Sequence, residues 1–192
     1  YEKKTGEIRI MFISRIHEVK NLHIAIQIAN QLDGKVIFDI YGPIESKEYW
    51  EQCEKLIKGS PDNVKIQYCG KVSPDKVDQV YSNYDCFLFP TVNENYGHVI
   101  AESLANGCPV VLSRGTTPWD DLHGVAGYVC SLDDVNEFVS SLNKIMETDD
   151  KEFRELVNNT YHYYCEKTQG DNAIEGHIKM FKKVIQLRKN YE

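Results

Sequence analysis

Two glutamates, Glu94 and Glu102, stand on either side of Asn95-Tyr96-Gly97-His98 with seven residues between them. Ahead of them runs Asp85-Cys86-Phe87-Leu88-Phe89-Pro90, an apolar run between a charged start and a proline stop. Behind them comes Gly107-Cys108-Pro109-Val110-Val111-Leu112, a turn and a second apolar run. Such runs suit strands buried on both faces, and the segment from Gly97 to Asn106 fits one short helix between them. A helix start carries backbone N–H groups with no intrahelical partner and the positive end of the macrodipole. Gly97 has no side chain to hold a phosphate away from them, so the stretch has the physics of an anion site at a helix N-terminus. The two carboxylates are acceptors, unsuited to phosphate but suited to pairs of hydroxyls. A phosphate surface flanked by hydroxyl acceptors points to a nucleotide sugar. Arg15 and Lys20, on the turn after an earlier apolar run, are two cations that would neutralise a diphosphate.

These residues need a scaffold, and the rest of the chain supplies its pattern. Glu7 to Ser14 reads as a first strand, Lys35 to Tyr41 as a second, Val64 to Cys69 as a third and Ala126 to Cys130 as a sixth. Helix signals begin near Lys20, where Leu22, Ala25, Ile26, Ala29 and Leu32 repeat at helical spacing until Gly34. A polar helix is expected from Glu45 to Lys58. Another opens at Ser73-Pro74, with serine as N-cap and proline at the first helical position. A short helical turn is expected over Pro118–Leu122. Ser131-x-x-Asp134 resembles a capping box. It precedes three apolar helical faces: Val135 to Met146, Phe153 to Tyr164, and Ile174 to Ile185. Six strands alternating with helices predict an α/β fold, a doubly wound, Rossmann-like parallel sheet with extra C-terminal helices. Loops at the carboxyl ends of such strands bind ligands.

Glu94, seven residues, then Glu102 and Ser103-Leu104-Ala105-Asn106-Gly107-Cys108-Pro109-Val110-Val111 resemble the signature of the family-four retaining glycosyltransferases, the glycosyl transferases group 1, of GT-B architecture. The family usually has alanine after the second glutamate and isoleucine at the end; this chain has Ser103 and Val111. The resemblance continues at Phe12-Ile13-Ser14-Arg15 with Lys20, at Gly42, at Gly70 and at Gly127, with Ser14 where the family usually has glycine. It implies the C-terminal, donor-binding half of a two-domain enzyme. Arg15, Lys20 and Glu94 would be catalytic, the cations on the leaving diphosphate and Glu94 on the transferred sugar. Glu102 would accept both ribose hydroxyls, and Asn95, Tyr96, Gly97 and His98 would offer amides to the phosphate and shape the sugar pocket. Gly70 and Val72 would lie under the base. His98 shares a helical face with Glu102, which makes packing or a charge pair the expected role rather than general base; alone, that pair is worth about 0.3 kcal/mol. The resemblance further implies a retaining transfer that needs no cofactor and no metal. The donor is a nucleoside-diphosphate sugar, and a sugar or glycolipid acceptor is held by a separate N-terminal domain. A role in surface polysaccharide or glycoconjugate synthesis is expected, and peripheral membrane association of the longer protein is left open. The competing readings are a non-catalytic nucleotide-sugar sensor or scaffold, and another GT-B enzyme such as an epimerase.

Composition narrows the classes. The 192 residues suffice for one well-buried domain, read as spanning 1–192. The formal charge of −7 argues against general nucleic-acid binding. No apolar run approaches the ~20 residues of a membrane helix. The chain starts at Tyr1 without a signal-peptide pattern and is read as a piece of a longer cytoplasmic protein. Six cysteines without a Cys-x-x-Cys pair fit a reducing compartment rather than a disulfide framework or a zinc site. Asp-x-Asp, Gly-x-Gly-x-x-Gly and the phosphate-loop Gly-Lys-Ser/Thr are absent, which excludes the usual metal-dependent sugar-nucleotide site and the dinucleotide fingerprint.

Overall fold

The computed structural model describes residues 2–169; the third apolar face expected over Ile174–Ile185 lies outside them. Six parallel strands form one sheet: β1 (Glu7–Ile13), β2 (Lys35–Tyr41), β3 (Val64–Gly70), β4 (Cys86–Phe89), β5 (Val110–Ser113) and β6 (Gly127–Cys130). Their order is β3-β2-β1-β4-β5-β6. The chain winds outward from β1 to β3, then returns to the centre and winds the other way from β4. β1 and β4 pair through Ile10 with Cys86 and Met11 with Phe87. Between their carboxyl ends the two neighbouring crossovers depart in opposite directions, which leaves a crevice.

The helices are α1 (Leu22–Ala29), α2 (Lys47–Lys58), α3 (Val77–Tyr81), α4 (His98–Ala105), α5 (Val135–Met146) and α6 (Asp150–Gln169). α1 packs against α2 and α5, and α4 against α6. The interior strands β4 and β5 are buried at every residue, as their unbroken apolar runs require. β2 instead alternates, with Val36, Phe38 and Ile40 fully buried and Lys35 exposed. No helix among the described residues is long and apolar enough to cross a membrane.

Boundaries depart from the sequence reading at the caps. Lys20 closes a 3-10 turn, Glu18–Lys20, and α1 begins only after Asn21, which takes the left-handed conformation at φ 53°. α1 ends at Ala29, capped by Asn30, five residues before Gly34. A Cβ on Gly34 would lie 2.3 Å from the Met146 sulfur, so that glycine serves close packing rather than a helix end. Pro74–Lys76 forms a 3-10 turn before the short α3, and Ser73 makes no side-chain cap bond. The N-cap of α5 is Asp134, whose carboxylate accepts from the Asn136 amide, not Ser131.

At the amino rim Lys3 is 4 % exposed and lies 3.8 Å from the fully buried Asp85. It also donates to the carbonyls of Lys4 (3.0 Å), Met146 (3.3 Å) and Glu7. Asp85 accepts from the Arg9 amide at 2.8 Å, which ties the start of β4 to β1. At the carboxyl rim Gly42 follows β2 at φ 131°, and a Cβ there would sit 1.8 Å from the Ser14 carbonyl oxygen. Both the backbone angle and the contact demand glycine. Gly42→Ala is therefore expected to destabilise the fold by about 2–4 kcal/mol, read as a lower urea midpoint with unchanged slope.

Candidate functional site

The site forms where three loops meet at the carboxyl rim. The loop after β4, Pro90–Gly97, lies between the loop after β1 and the loop after β5, and is bonded to both. On the β1 side, the Val92 amide donates to the Val19 carbonyl at 3.0 Å, and the Thr91 hydroxyl to the same oxygen at 3.2 Å. The Asn21 side chain donates to the Pro90 carbonyl at 2.9 Å. On the β5 side, the Glu94 amide donates to the Thr116 carbonyl at 2.8 Å, and the buried Ser113 hydroxyl to the Thr91 carbonyl. α1 starts late because Asn21 takes a left-handed turn, which asparagine tolerates, with its side chain bonded across to the end of β4.

Lys20 and Glu94 form an ion pair across the crevice, with side chains 10 % and 20 % exposed. The Lys20 ammonium also lies 5.7 Å from the centre of the Phe89 ring, at the end of β4. In a partly dehydrated crevice this pair is screened far less than one on the surface. Arg15, by contrast, turns toward the loop after β2. Its guanidinium contacts both carboxylate oxygens of Glu45, at 3.2 and 3.0 Å, with 62 % of the side chain exposed. Surface pairs of this kind contribute about 0–1 kcal/mol, so the arm is free to move.

Gly97 is buried and left-handed at φ 76°, as a turn into a helix start requires. Its carbonyl accepts from the Ile100 and Ala101 amides at 2.8 and 3.1 Å. Among the described residues the amides of Gly97, His98 and Val99 find no acceptor. α4 therefore points unpaired donors and its positive end at the rim. The Tyr96 and His98 rings lie 5.0 Å apart, both exposed. Glu102 is exposed on the same helix. Burial by its surroundings raises its carboxyl pKa; His98 opposes this and Asp78 adds to it. Asn95 is exposed in the loop. Gly70 ends β3 at the same rim, where its carbonyl accepts from the Gly42 amide at 2.8 Å, and half-buried Val72 follows. The structure thus joins Lys20 to Glu94 and groups Tyr96, Gly97, His98 and Glu102 on α4 and its cap. It holds Arg15 on Glu45, and sets Gly70 and Val72 at the edge strand of the sheet.

Three residues of this arrangement carried no functional signal that sequence reasoning used: Asn21, Glu45 and Trp119. Asn21 could have been found as an αL-tolerant residue just before an apolar helical repeat. Glu45 and Trp119 act through contacts made only in three dimensions. Among the described residues no group of three or more His, Cys, Asp or Glu side chains could hold a metal ion. The six cysteines are free.

Removing one member of the Lys20–Glu94 pair leaves the other partly buried without its counter-charge. Lys20→Met and Glu94→Gln are each expected to lower stability by ~1–3 kcal/mol. The double variant should lose less than their sum, measured by urea unfolding as a double-mutant cycle.

Comparison with known proteins identifies the family and the fold. The family model described as "Glycosyl transferases group 1" matches residues 1–163. A sulfoquinovosyl transferase of Arabidopsis thaliana is 29 % identical over 153 residues, covering 77 % of this chain and 28 % of that protein. A processive diacylglycerol alpha-glucosyltransferase of Acholeplasma laidlawii is 26 % identical over 188 residues, covering 94 % of this chain and 52 % of that protein. Among solved structures, the Anabaena protein Alr3699/HepE in complex with UDP and glucose superposes with a TM-score of 0.73 at 21 % identity, over 84 % of this chain and 44 % of that one. A glycosyltransferase of Rickettsia africae gives a TM-score of 0.80 at 14 % identity, over 95 % of this chain and 49 % of that one. The chain therefore spans about half or less of the length of these relatives. The match over residues 1–163 and the likeness of fold show that the chain belongs to the glycosyl transferases group 1 family, as a Rossmann-like domain of the GT-B fold.

Proposed function

We propose that the chain is the donor-binding domain of a retaining, metal-independent glycosyltransferase and takes a nucleoside-diphosphate sugar at the β1/β4 crevice. The observation that carries this reading is the Lys20–Glu94 pair, whose glutamate stands on the loop that leads into the unpaired amides of α4. Cation and amides suit the diphosphate; the carboxylate suits sugar hydroxyls. The UDP and glucose held by the Anabaena structure support the same ligand class.

In this reading the donor re-partners the charges of the site. The diphosphate takes Lys20, and Glu94 turns to the transferred sugar. Arg15 leaves its exposed pair with Glu45 for the phosphates. Glu102 accepts the ribose hydroxyls. As the sugar–phosphate bond breaks, negative charge gathers on the departing diphosphate, where Lys20, Arg15 and the α4 amides stabilise it. The acceptor, a sugar or a glycolipid, is held by a part of the protein beyond this chain and attacks from the face the diphosphate leaves.

Calorimetric titration with UDP, GDP, ADP and CDP, without metal, is the direct test. One diphosphate is expected to bind, about tenfold more weakly to Arg15→Ala and Glu102→Ala. No sugar transfer is expected from the chain alone. Failure of every diphosphate to bind the folded chain, or turnover by the chain alone, would overturn this assignment.

Glu102 adds a stability signature. A carboxyl whose folded pKa is raised costs stability above that pKa, and the cost disappears below the unfolded value near 4.3. Glu102→Gln is therefore expected to stabilise the empty protein at pH 7, by less than about 1 kcal/mol given its exposure. The gain should vanish toward pH 4, even as the nucleoside diphosphate binds more weakly. Thermal melts across pH check this.

A further inference from the structure

The loop that carries Glu94 is held from outside the crevice by a side chain the donor reading does not use. Trp119 follows β5 in the Pro118-Trp119-Asp120-Asp121 turn and is 1 % exposed. Its indole N–H donates to the Tyr96 carbonyl at 2.6 Å, and its ring meets the Tyr96 ring edge-on at 5.6 Å. The Tyr96 carbonyl and the Gly97 amide belong to one planar trans peptide, so they point in opposite directions. Fixing the carbonyl on the indole therefore aims the Gly97 N–H away from Trp119. Gly97 is also the residue whose left-handed backbone would let that plane turn most easily.

Trp119 is itself clamped by α6. The Lys167 ammonium sits 4.9 Å from the centre of the indole ring and donates to the Pro118 carbonyl at 3.2 Å. It also donates to the Tyr163 hydroxyl at 3.0 Å and pairs with Asp121, and Tyr163 donates to Asp121 at 2.9 Å. These contacts close a path from the end of α6 through Trp119 to the cap of α4.

We infer that Trp119, clamped by Lys167, is a positioning residue that sets the Tyr96–Gly97 peptide plane, and with it the amides that face the donor's diphosphate; the inference rests on the donor-binding reading above. A buried indole N–H must find an acceptor somewhere. This one places its single polar atom on the one carbonyl that orients the helix cap.

Trp119→Phe keeps the aromatic ring and removes the donor. The expected result is a melting temperature near that of the wild type and amide hydrogen exchange at Ile100 and Ala101, the two donors to the Gly97 carbonyl, faster by about tenfold. The nucleoside diphosphate that the wild type takes should bind about tenfold more weakly. A folded Trp119→Phe with wild-type exchange and affinity would overturn the inference. Should that variant fail to fold, Lys167→Met leaves Trp119 in place, and an expected loss of about threefold carries the test; unchanged affinity and exchange would again overturn it. If the wild type binds none of the four diphosphates, the functional reading falls. The exchange comparison then decides by itself whether Trp119 fixes the loop.

Discussion

The ion pair between Lys20 and Glu94 is the interaction around which the carboxyl rim is built. It joins the loops that leave β1 and β4, the two neighbouring strands at which the direction of winding reverses. Without a bridge, that reversal leaves a gap lined by loop backbone. The pair fills it with two opposite charges that shield each other from the apolar ends of the strands, and Phe89 closes it from below. The attraction is strong because the crevice excludes most water, and for the same reason neither partner tolerates the loss of the other. A ligand that offers an anion to Lys20 and hydroxyls to Glu94 replaces both halves of the pair at once.

The surrounding hydrogen bonds have one theme: the β4 loop is never left to itself. Val19 and Asn21 hold it from one side, Thr116, Ser113 and Trp119 from the other. Loops that carry polar chemistry usually have the fewest packing contacts, so their geometry must come from specific bonds to rigid neighbours. Here those neighbours are the loops after β1 and β5, with Ser113 at the buried end of β5 itself. Arg15 is the exception. It stands in solvent on Glu45, where motion costs little.

Much of this was legible in the sequence. The strands announced themselves as apolar runs between charged, proline or glycine boundaries. Val64–Gly70, Cys86–Phe89 and Val110–Ser113 fall where those runs lie. The Glu94-to-Glu102 stretch had a strand before it and Gly-x-Pro-Val-Val after it, and that local order places a helix cap at Gly97. What local pattern could not reach were the exact caps. Lys20 reads as a helix start because the apolar repeat begins beside it. Asn21 interrupts the backbone there to reach Pro90, a contact 69 residues away. Ser131 has the spacing of a capping box, yet Asp134 lies nearer the first turn and takes the role.

The sequence by itself determined the alternation of strands and helices, because burial on two faces dictates continuous apolar runs and burial on one dictates a helical repeat. It also determined which residue types stand in the loops at the carboxyl rim, and thus the chemistry available there. Only the tertiary structure decided which charges meet. Lys20 took Glu94 and Arg15 took Glu45, since partner choice depends on how loops from separate strands approach, and no local spacing encodes that distance. The structure alone likewise brought Trp119 onto the Tyr96 carbonyl and Lys167 over the Trp119 ring, from two elements far along the chain. A hydrogen bond's direction is set by the packing of both elements that carry it.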